Sequence, residues 1–355
     1  MLDPQATVGD VGERGLLRHL RGRIPGGAGV RCGIGDDAAV VDTADLTLVT
    51  TDCMVEGTHF RRDWMPAELL GRKVLSINLS DVAAMSGVPR YATVNLCLPR
   101  DLTVGFVDGL YDGLLARAAE AGLSLVGGNL AAIDGPVVID VTLLGTGDKI
   151  MRRSGAFPGD VVVVTGSLGA AAEGLRLLQQ GARLSSDGQL VATGVWTDSS
   201  APALTHCLRA HLDPSPPLAF GRSLAEHDLV HAGLDISDGL SSDLLELCHE
   251  SGVAARLDVD CLPMDPHMAA LERARGGDPH GLALHGGEDY QLLLALPADN
   301  VEPLRKESEF WNVTVTQIGE LIEGQPQVLL HSAAGDVPLE ATGYEHFVAP
   351  DEDAS

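Results

Sequence analysis

The chain has 355 residues, 45% hydrophobic but only 4% aromatic, enough for two domains whose cores are built mainly from Leu, Val and Ala. A formal net charge of −26 excludes nucleic acid or an anionic membrane surface as partner, and any phosphate ligand must arrive screened by metal ions. The six cysteines (32, 53, 97, 207, 248 and 261) have no CxxC or zinc-like spacing, which predicts reduced thiols in a cytoplasmic protein. The acidic start Met1-Leu2-Asp3-Pro4-Gln5 lacks the apolar run of a signal peptide, and no stretch approaches the ~20 apolar residues of a membrane helix, so a soluble protein is expected.

In chain order, Glu13, Leu16, Leu17 and Leu20 have helical spacing, broken by Pro25-Gly26-Gly27. Gly33-Ile34-Gly35-Asp36-Asp37 then presents two adjacent carboxylates on a glycine-rich turn that leads into a strand at Val40-Val41. Residues 46–51 read as a strand by β-branched content, ending at Asp52. Apolar residues at 70, 74, 77, 82 and 85 predict a helix over 69–85; 91–98 reads as a strand and 107–121 as a helix. A short strand at 123–126 runs into Gly127-Gly128-Asn129, and another follows at 137–144. The turn-rich run from Arg153 to Asp160 places the domain junction, giving domains 1–152 and 153–347 and an acidic, disordered tail over 348–355. Beyond it come a strand at 161–165, the turn Gly166-Ser167-Leu168-Gly169, a helix over 170–180, and a polar exposed loop over 181–200. Helices near 218–227 and 241–251 flank a strand at 229–236, and Gly286-Gly287-Glu288-Asp289 opens a strand over 290–296.

Asp52, Asp81, Asp235 and Asp238 share the small-residue surroundings of the Asp36-Asp37 pair, and together these acids suggest a magnesium–nucleotide site. Hard oxygen donors suit magnesium, and Thr50-Thr51 adds two hydroxyls beside Asp52. Three of these acids also have a local structural explanation: a helix cap for Asp81 and Asp238, a strand-end cap for Asp52. A carboxylate among apolar neighbours, as at Asp81, is costly unless paired or metal-bound. No Gly-x-x-x-x-Gly-Lys-Ser/Thr occurs, so any ATP is handled without a P-loop. No Gly-x-Ser-x-Gly elbow supports serine chemistry, and His59 alone reads as a packed or surface histidine.

In order, Gly33-Ile34-Gly35-Asp36-Asp37, Thr50-Thr51-Asp52, Val55-Glu56-Gly57-Thr58-His59-Phe60, Asn78-Leu79-Ser80-Asp81, Arg153-Ser154-Gly155-Ala156, Leu234-Asp235-Ile236-Ser237-Asp238-Gly239, Gly286-Gly287-Glu288-Asp289-Tyr290 and Gly343-Tyr344-Glu345-His346-Phe347 span nearly the whole chain. This set resembles the thiamine-monophosphate kinase family of the aminoimidazole-ribonucleotide synthetase superfamily. The resemblance implies an α+β fold of two mixed α/β domains, the N-terminal ones pairing in a homodimer through a shared sheet, with ATP between the domains. It implies transfer of the ATP γ-phosphoryl group to thiamine monophosphate, giving thiamine diphosphate, with several Mg2+ ions held by Asp37, Thr50, Thr51, Asp52, Asp81, Asn129, Asp235 and Asp238. Tyr111, Gly128, Asn129, Arg153 and Ser237 fall where the family contacts ATP; His59, Glu288 and Tyr344 fall where it contacts thiamine monophosphate. No distinct catalytic residue is implied, because the acceptor phosphate is already an ionised nucleophile and positioning with charge stabilisation supplies the catalysis.

One departure stands out: the family carries Asp after the paired glycines, and this chain has Asn129, which predicts weaker occupancy at one metal position. Asp134 is a possible substitute. The rival readings are another superfamily enzyme (the purine-pathway, selenophosphate or hydrogenase-maturation member), a non-catalytic nucleotide-binding module, and an acidic surface for a protein partner. The first Cys is Cys32 and the first Lys is Lys73, which argues against selenophosphate synthesis.

Overall fold

The computed structural model describes residues 3–32, 40–43, 46–197, 200–332 and 335–344. The glycine-rich turn with Asp36 and Asp37, and the tail from 345 onward, lie outside the described residues. Helix α1 (Val8–Arg21) precedes a short antiparallel pair, β1 (Val30–Cys32) and β2 (Val40–Val41). Then come β3 (Thr47–Val55), α2 (Ala67–Ala84), β4 (Val88–Leu98), α3 (Val104–Ala121), β5 (Ser124–Ala132) and β6 (Val138–Thr146). They form a four-stranded sheet in the order β3-β6-β4-β5, antiparallel except for the β4–β5 pair.

Alternation along these strands buries one face. Met54, Ile139, Val141, Leu143, Val94 and Leu96 pack into the core with α2 and α3. The other face carries Val49, 67% exposed, with Thr51, Thr142 and Asn95, and among the described residues no helix covers it. Beside Ala92 and Thr93 the register slips by one residue, so that Leu125 and Val126 of β5 are both buried. The slip also lets Gly127-Gly128-Asn129 continue the strand instead of forming the turn that ends it. Gly128 is required there, since a Cβ would stand 1.9 Å from the Val94 carbonyl oxygen of β4.

The second unit comprises β7 (Val161–Thr165), α4 (Ala170–Gln179), β8 (Ala182–Leu184), β9 (Leu190–Thr193), α5 (Ala201–Leu212), α6 (Leu218–Glu226), β10 (Ala232–Ile236), α7 (Leu240–Ser251), β11 (Ala254–Asp258), α8 (Pro266–Arg275), α9 (Pro279–His285), β12 (Gln291–Leu296), α10 (Val301–Phe310), β13 (Val315–Ile322), β14 (Val328–Ser332) and β15 (Gly335–Pro338). Its seven-stranded sheet runs β10-β12-β7-β13-β11-β14-β15, with only β11–β14 parallel. The continuous apolar runs of β7 and β12 fit burial on both faces: Val162 and Val164 join the core of α4, α5 and α7, while Val161 and Val163 meet Phe220 and Leu224 of α6. The expected exposed loop over 181–200 is instead largely the β8–β9 hairpin, in which Ala182 and Leu184 are buried.

Helix α2 joins the two units. It is buried on nearly every side, between the four-stranded sheet, α3, α6 and β10.

Candidate active site

The acids meet where α2 lies between the two sheets. Thr50 and Asp52 are alternate residues in mid-β3, on its α2-facing side; Asp52 is not the strand end that its sequence context suggests. Asp81 lies in the last turn of α2, whose N-terminal cap is Pro66, so it is no N-cap. Thr50 Oγ1 donates to Asp81 Oδ2 at 2.5 Å, and Ser80 Oγ donates to Asp235 Oδ2, on β10, at 2.6 Å. Burial, then Asp235 and Asp140, push the Asp52 carboxyl up to about 6. Burial, Asp235 and Asp52 push Asp81 up to about 7 against the pull of Thr50 and Arg153. Burial raises Asp235 as well, opposed by Ser80 and Arg153. Three carboxyl groups held together above their usual range are an arrangement that a cation relieves. Thr50, Asp81, Asp235 and Arg153 line a cleft of about 250 Å³, with Leu48, Val82 and Met85 on its apolar wall.

A second group of contacts closes the far side. Asp243 accepts hydrogen bonds from the backbone N–H groups of Ser237, Asp238 and Gly239 at 3.0–3.1 Å. Gly239, not Asp238, is the N-cap of α7, without a side-chain cap bond, and Asp243 instead ties down the turn that precedes it; burial first, then Asp238 and Asp235, push Asp243 up to about 7. Tyr344 N donates to Asp238 O at 3.0 Å, bringing the exposed Tyr344 beside that turn. The backbone of 286–290 is pinned to the end of β10: Glu288 N donates to Ser237 O at 2.7 Å and Tyr290 N to Ile236 O at 2.8 Å. The Glu288 carboxylate pairs with Lys73 Nζ of α2 and His211 Nδ1 of α5, each at 2.9 Å. Burial works to raise it, but Lys73 and His211 prevail and hold Glu288 well below the usual carboxylate range. The buried Tyr290 phenol lies among these acids: burial, then Glu288, Asp235, Asp52 and Asp238, raise it well above its ordinary value.

His59 turns its Nδ1 back to accept from Val55 N at 3.0 Å. With Phe60, Trp64, Leu178 and His211 it lines a separate pocket of about 230 Å³. His59 and Glu288 are thus linked through His211, whereas Tyr344 does not line this pocket.

The remaining expected residues are dispersed. Thr51 points to the uncovered face of the first sheet, donating to Asp140 Oδ1 at 2.9 Å, and Asn129 lies on that face in register with Asn95, itself bonded to Asp140. The pleat divides Thr51 and Asn129 from Thr50, Asp52 and Asp81. Asp134 is exposed beyond β5. Tyr111 is 4% exposed in the core, its phenol pushed up to about 12 by burial, and it does not line the cleft. Arg153 is exposed at the cleft, 4.0 Å from Glu246.

Among the described residues no three His, Cys, Asp or Glu side chains are grouped so as to hold a metal ion by themselves. The donors nevertheless fit magnesium, which keeps several waters and takes one or two carboxylates plus substrate phosphates. Lys73, His211, Ser80, Asp243 and Tyr290 were not singled out as site residues from the sequence. Ser80 and Tyr290 stand inside quoted motifs and so carried a signal; Lys73 and His211 carried none.

Two family models match in tandem: AIR synthase related protein, N-terminal domain, over residues 35–147, and AIR synthase related protein, C-terminal domain, over 158–331. Thiamine-monophosphate kinase of Salmonella typhimurium is 34% identical, covering 90% of this chain and 93% of that protein. The Aquifex aeolicus enzyme of the same name is 31% identical over 95% and 99%. Among solved structures, thiamine-monophosphate kinase from Stenotrophomonas maltophilia K279a superposes with TM-score 0.77 at 32% identity, covering 89% of this chain and 95% of that one. AaThiL complexed with AMPPCP and TMP superposes with TM-score 0.74 at 31% identity, covering 95% and 97%. The hydrogenase maturation protein HypE in complex with ATP shares the fold at 19% identity, TM-score 0.66, over 86% and 88%.

Proposed function

The chain belongs to the thiamine-monophosphate kinase family, built from two AIR-synthase-related domains, and from that premise we infer that it phosphorylates thiamine monophosphate with ATP, giving thiamine diphosphate and ADP. The observation that carries the reading to this chain is the carboxyl cluster of Asp52, Asp81 and Asp235 at a cleft shared by the two units.

In this reading Asp52, Asp81 and Asp235, with Thr50, hold magnesium, and Asp37 and Asp238 complete the set. Bound magnesium would screen the phosphates from these acids and offset the charge that develops on the transferred group. Arg153 and the backbone at Ser237 flank the nucleotide phosphates, and the apolar wall of Leu48, Val82 and Met85 receives the adenine. His59, Glu288 and Tyr344 contact the acceptor. The acceptor phosphate oxygen needs no general base, and among the described residues no histidine contacts Asp52, Asp81 or Asp235. Seven residues of α2 separate Lys73, which holds Glu288, from Ser80, which holds Asp235, about 10 Å along one helix face. That spacing suits an acceptor ring at one end and phosphates at the other.

The uncovered face of the four-stranded sheet, with Val49 exposed, supports a homodimer through the N-terminal domains. The division at 152/153, neither nucleic acid nor membrane as partner, and a cytoplasmic location belong to the same proposal. Free cysteines at 53, 97, 207, 248 and 261 support that location, and among the described residues no helix is long and apolar enough to cross a membrane.

The test is turnover of purified protein with ATP, magnesium and thiamine monophosphate, followed by chromatography. Thiamine diphosphate should form with the natural chain and be absent with Asp52→Ala and Asp81→Ala. Tight nucleotide binding with no product from the natural chain would refute the reading.

A further inference from the structure

Lys73 is fully buried, the one charged side chain among the buried positions of α2. Its ammonium closes a three-membered ring of contacts. Nζ stands 2.9 Å from Glu288 Oε1 and 3.5 Å from His211 Nε2, and His211 Nδ1 stands 2.9 Å from Glu288 Oε2. A neutral imidazole protonated on Nδ1 turns its free Nε2 lone pair to the ammonium, while Nδ1 stands 2.9 Å from the carboxylate without hydrogen-bond alignment. Burial first, and then Lys73, lower the His211 pKa, which favours that neutral form.

The backbone under Glu288 is held just as firmly. Glu288 and Tyr290 both adopt left-handed φ angles, +67° and +48°, which non-glycine residues rarely take. Between them, Asp289 accepts from Gly169 N at 2.7 Å and Ala171 N at 3.4 Å, covering the start of α4 where Gly169 offers no side-chain cap. With the two backbone bonds to Ser237 and Ile236 and the Lys73 and His211 contacts, six contacts from four elements fix this short loop. Such strain persists only where the surroundings over-determine it. The Glu288 side chain nonetheless stays 30% exposed, so part of its carboxylate remains open to a ligand.

We propose that Lys73 and His211 are positioning residues for the acceptor: they clamp Glu288 so that the exposed part of its carboxylate meets the cationic thiazolium and amino-bearing pyrimidine of thiamine monophosphate. The proposal rests on the reading of Glu288 as an acceptor contact. Lys73 reaches Glu288 from the N-terminal unit and His211 from the second, so acceptor affinity depends on how the two units are seated against each other.

The experiment compares kcat, KM for thiamine monophosphate, KM for ATP and melting temperature among Lys73→Met, His211→Asn, His211→Phe, Glu288→Gln and the double variant Lys73→Met/Glu288→Gln. Lys73→Met and Glu288→Gln should each raise KM for thiamine monophosphate at least tenfold and leave KM for ATP within twofold. His211→Asn keeps an N–H for the carboxylate and should stay within threefold of the natural KM, whereas His211→Phe should match Lys73→Met. The double variant carries no unpaired buried charge, so it should regain melting temperature and keep the raised KM. A double variant whose KM returns with its stability would overturn the proposal, leaving the ring a structural clamp. So would a Lys73→Met protein in which only the melting temperature changes while Glu288→Gln still raises KM. If Glu288→Gln itself leaves KM for thiamine monophosphate unchanged, the acceptor reading falls and this proposal falls with it.

Discussion

Asp52→Asn should make the magnesium-free protein more stable while abolishing turnover. The Asp52 carboxyl is pushed from 3.8 up to about 6, a difference of about 2 units, worth about 3 kcal/mol at 1.36 kcal/mol per unit. Because the folded form holds its proton more tightly than the unfolded chain, this group destabilises the fold wherever the unfolded carboxyl has ionised. The cost is therefore absent well below pH 4, roughly half developed at pH 5 and complete above about pH 7. An amide at 52 removes it. In calorimetry with a chelator at pH 8 the variant should melt roughly 5 °C above the natural protein, a gap that shrinks to about half at pH 5. Saturating magnesium should raise the melting temperature of the natural protein more than that of the variant. A variant that melts no higher at pH 8, or by the same margin at both pH values, would refute the account of Asp52 as a repelled carboxylate awaiting a cation.

Further predictions concern the frame of the site. Gly128→Ala should destabilise by about 2–3 kcal/mol, because its Cβ meets the Val94 carbonyl across the β4–β5 pair; urea unfolding would register this as a lower midpoint with unchanged slope. Asp243→Ala strips the acceptor from three backbone N–H groups and should weaken ATP binding by calorimetric titration; unchanged ATP affinity would separate that turn from the nucleotide. Asn129→Asp should leave the magnesium dependence of turnover unchanged, because position 129 lies across the pleat from Asp52 and Asp81, and a shift to lower magnesium would show that this position holds a metal after all.

What the residue pattern revealed was whatever depended on neighbours in the chain. The 3.6-residue spacing of Leu70, Val74 and Ile77 located α2, and the apolar run at 161–165 located β7. Local reasoning misplaced Asp52 and Asp81, since capping preference says nothing of a mid-strand or last-turn acid whose neighbours come from elsewhere. The two-residue period of a strand already implies that Thr50 and Asp52 face one way and Thr51 the other, so this division was legible and passed unused. The Lys73–His211 contact spans 138 residues, and no spacing rule relates the two. The β8–β9 hairpin hid in a polar segment because only alternate residues, Ala182 and Leu184, are buried.

Helix α2 also constrains the order in which the molecule is made. Ser80 waits for Asp235, 155 residues later, and Lys73 for Glu288 beyond it, so the ribosome releases the helix long before its polar partners exist. Until then the nascent N-terminal half must keep Lys73 and Ser80 hydrated, and α2 cannot settle into its final dry seat. Completion of the N-terminal half is thereby timed by synthesis of the C-terminal one, and chains truncated before 288 should be retained by chaperones with this helix face still wet.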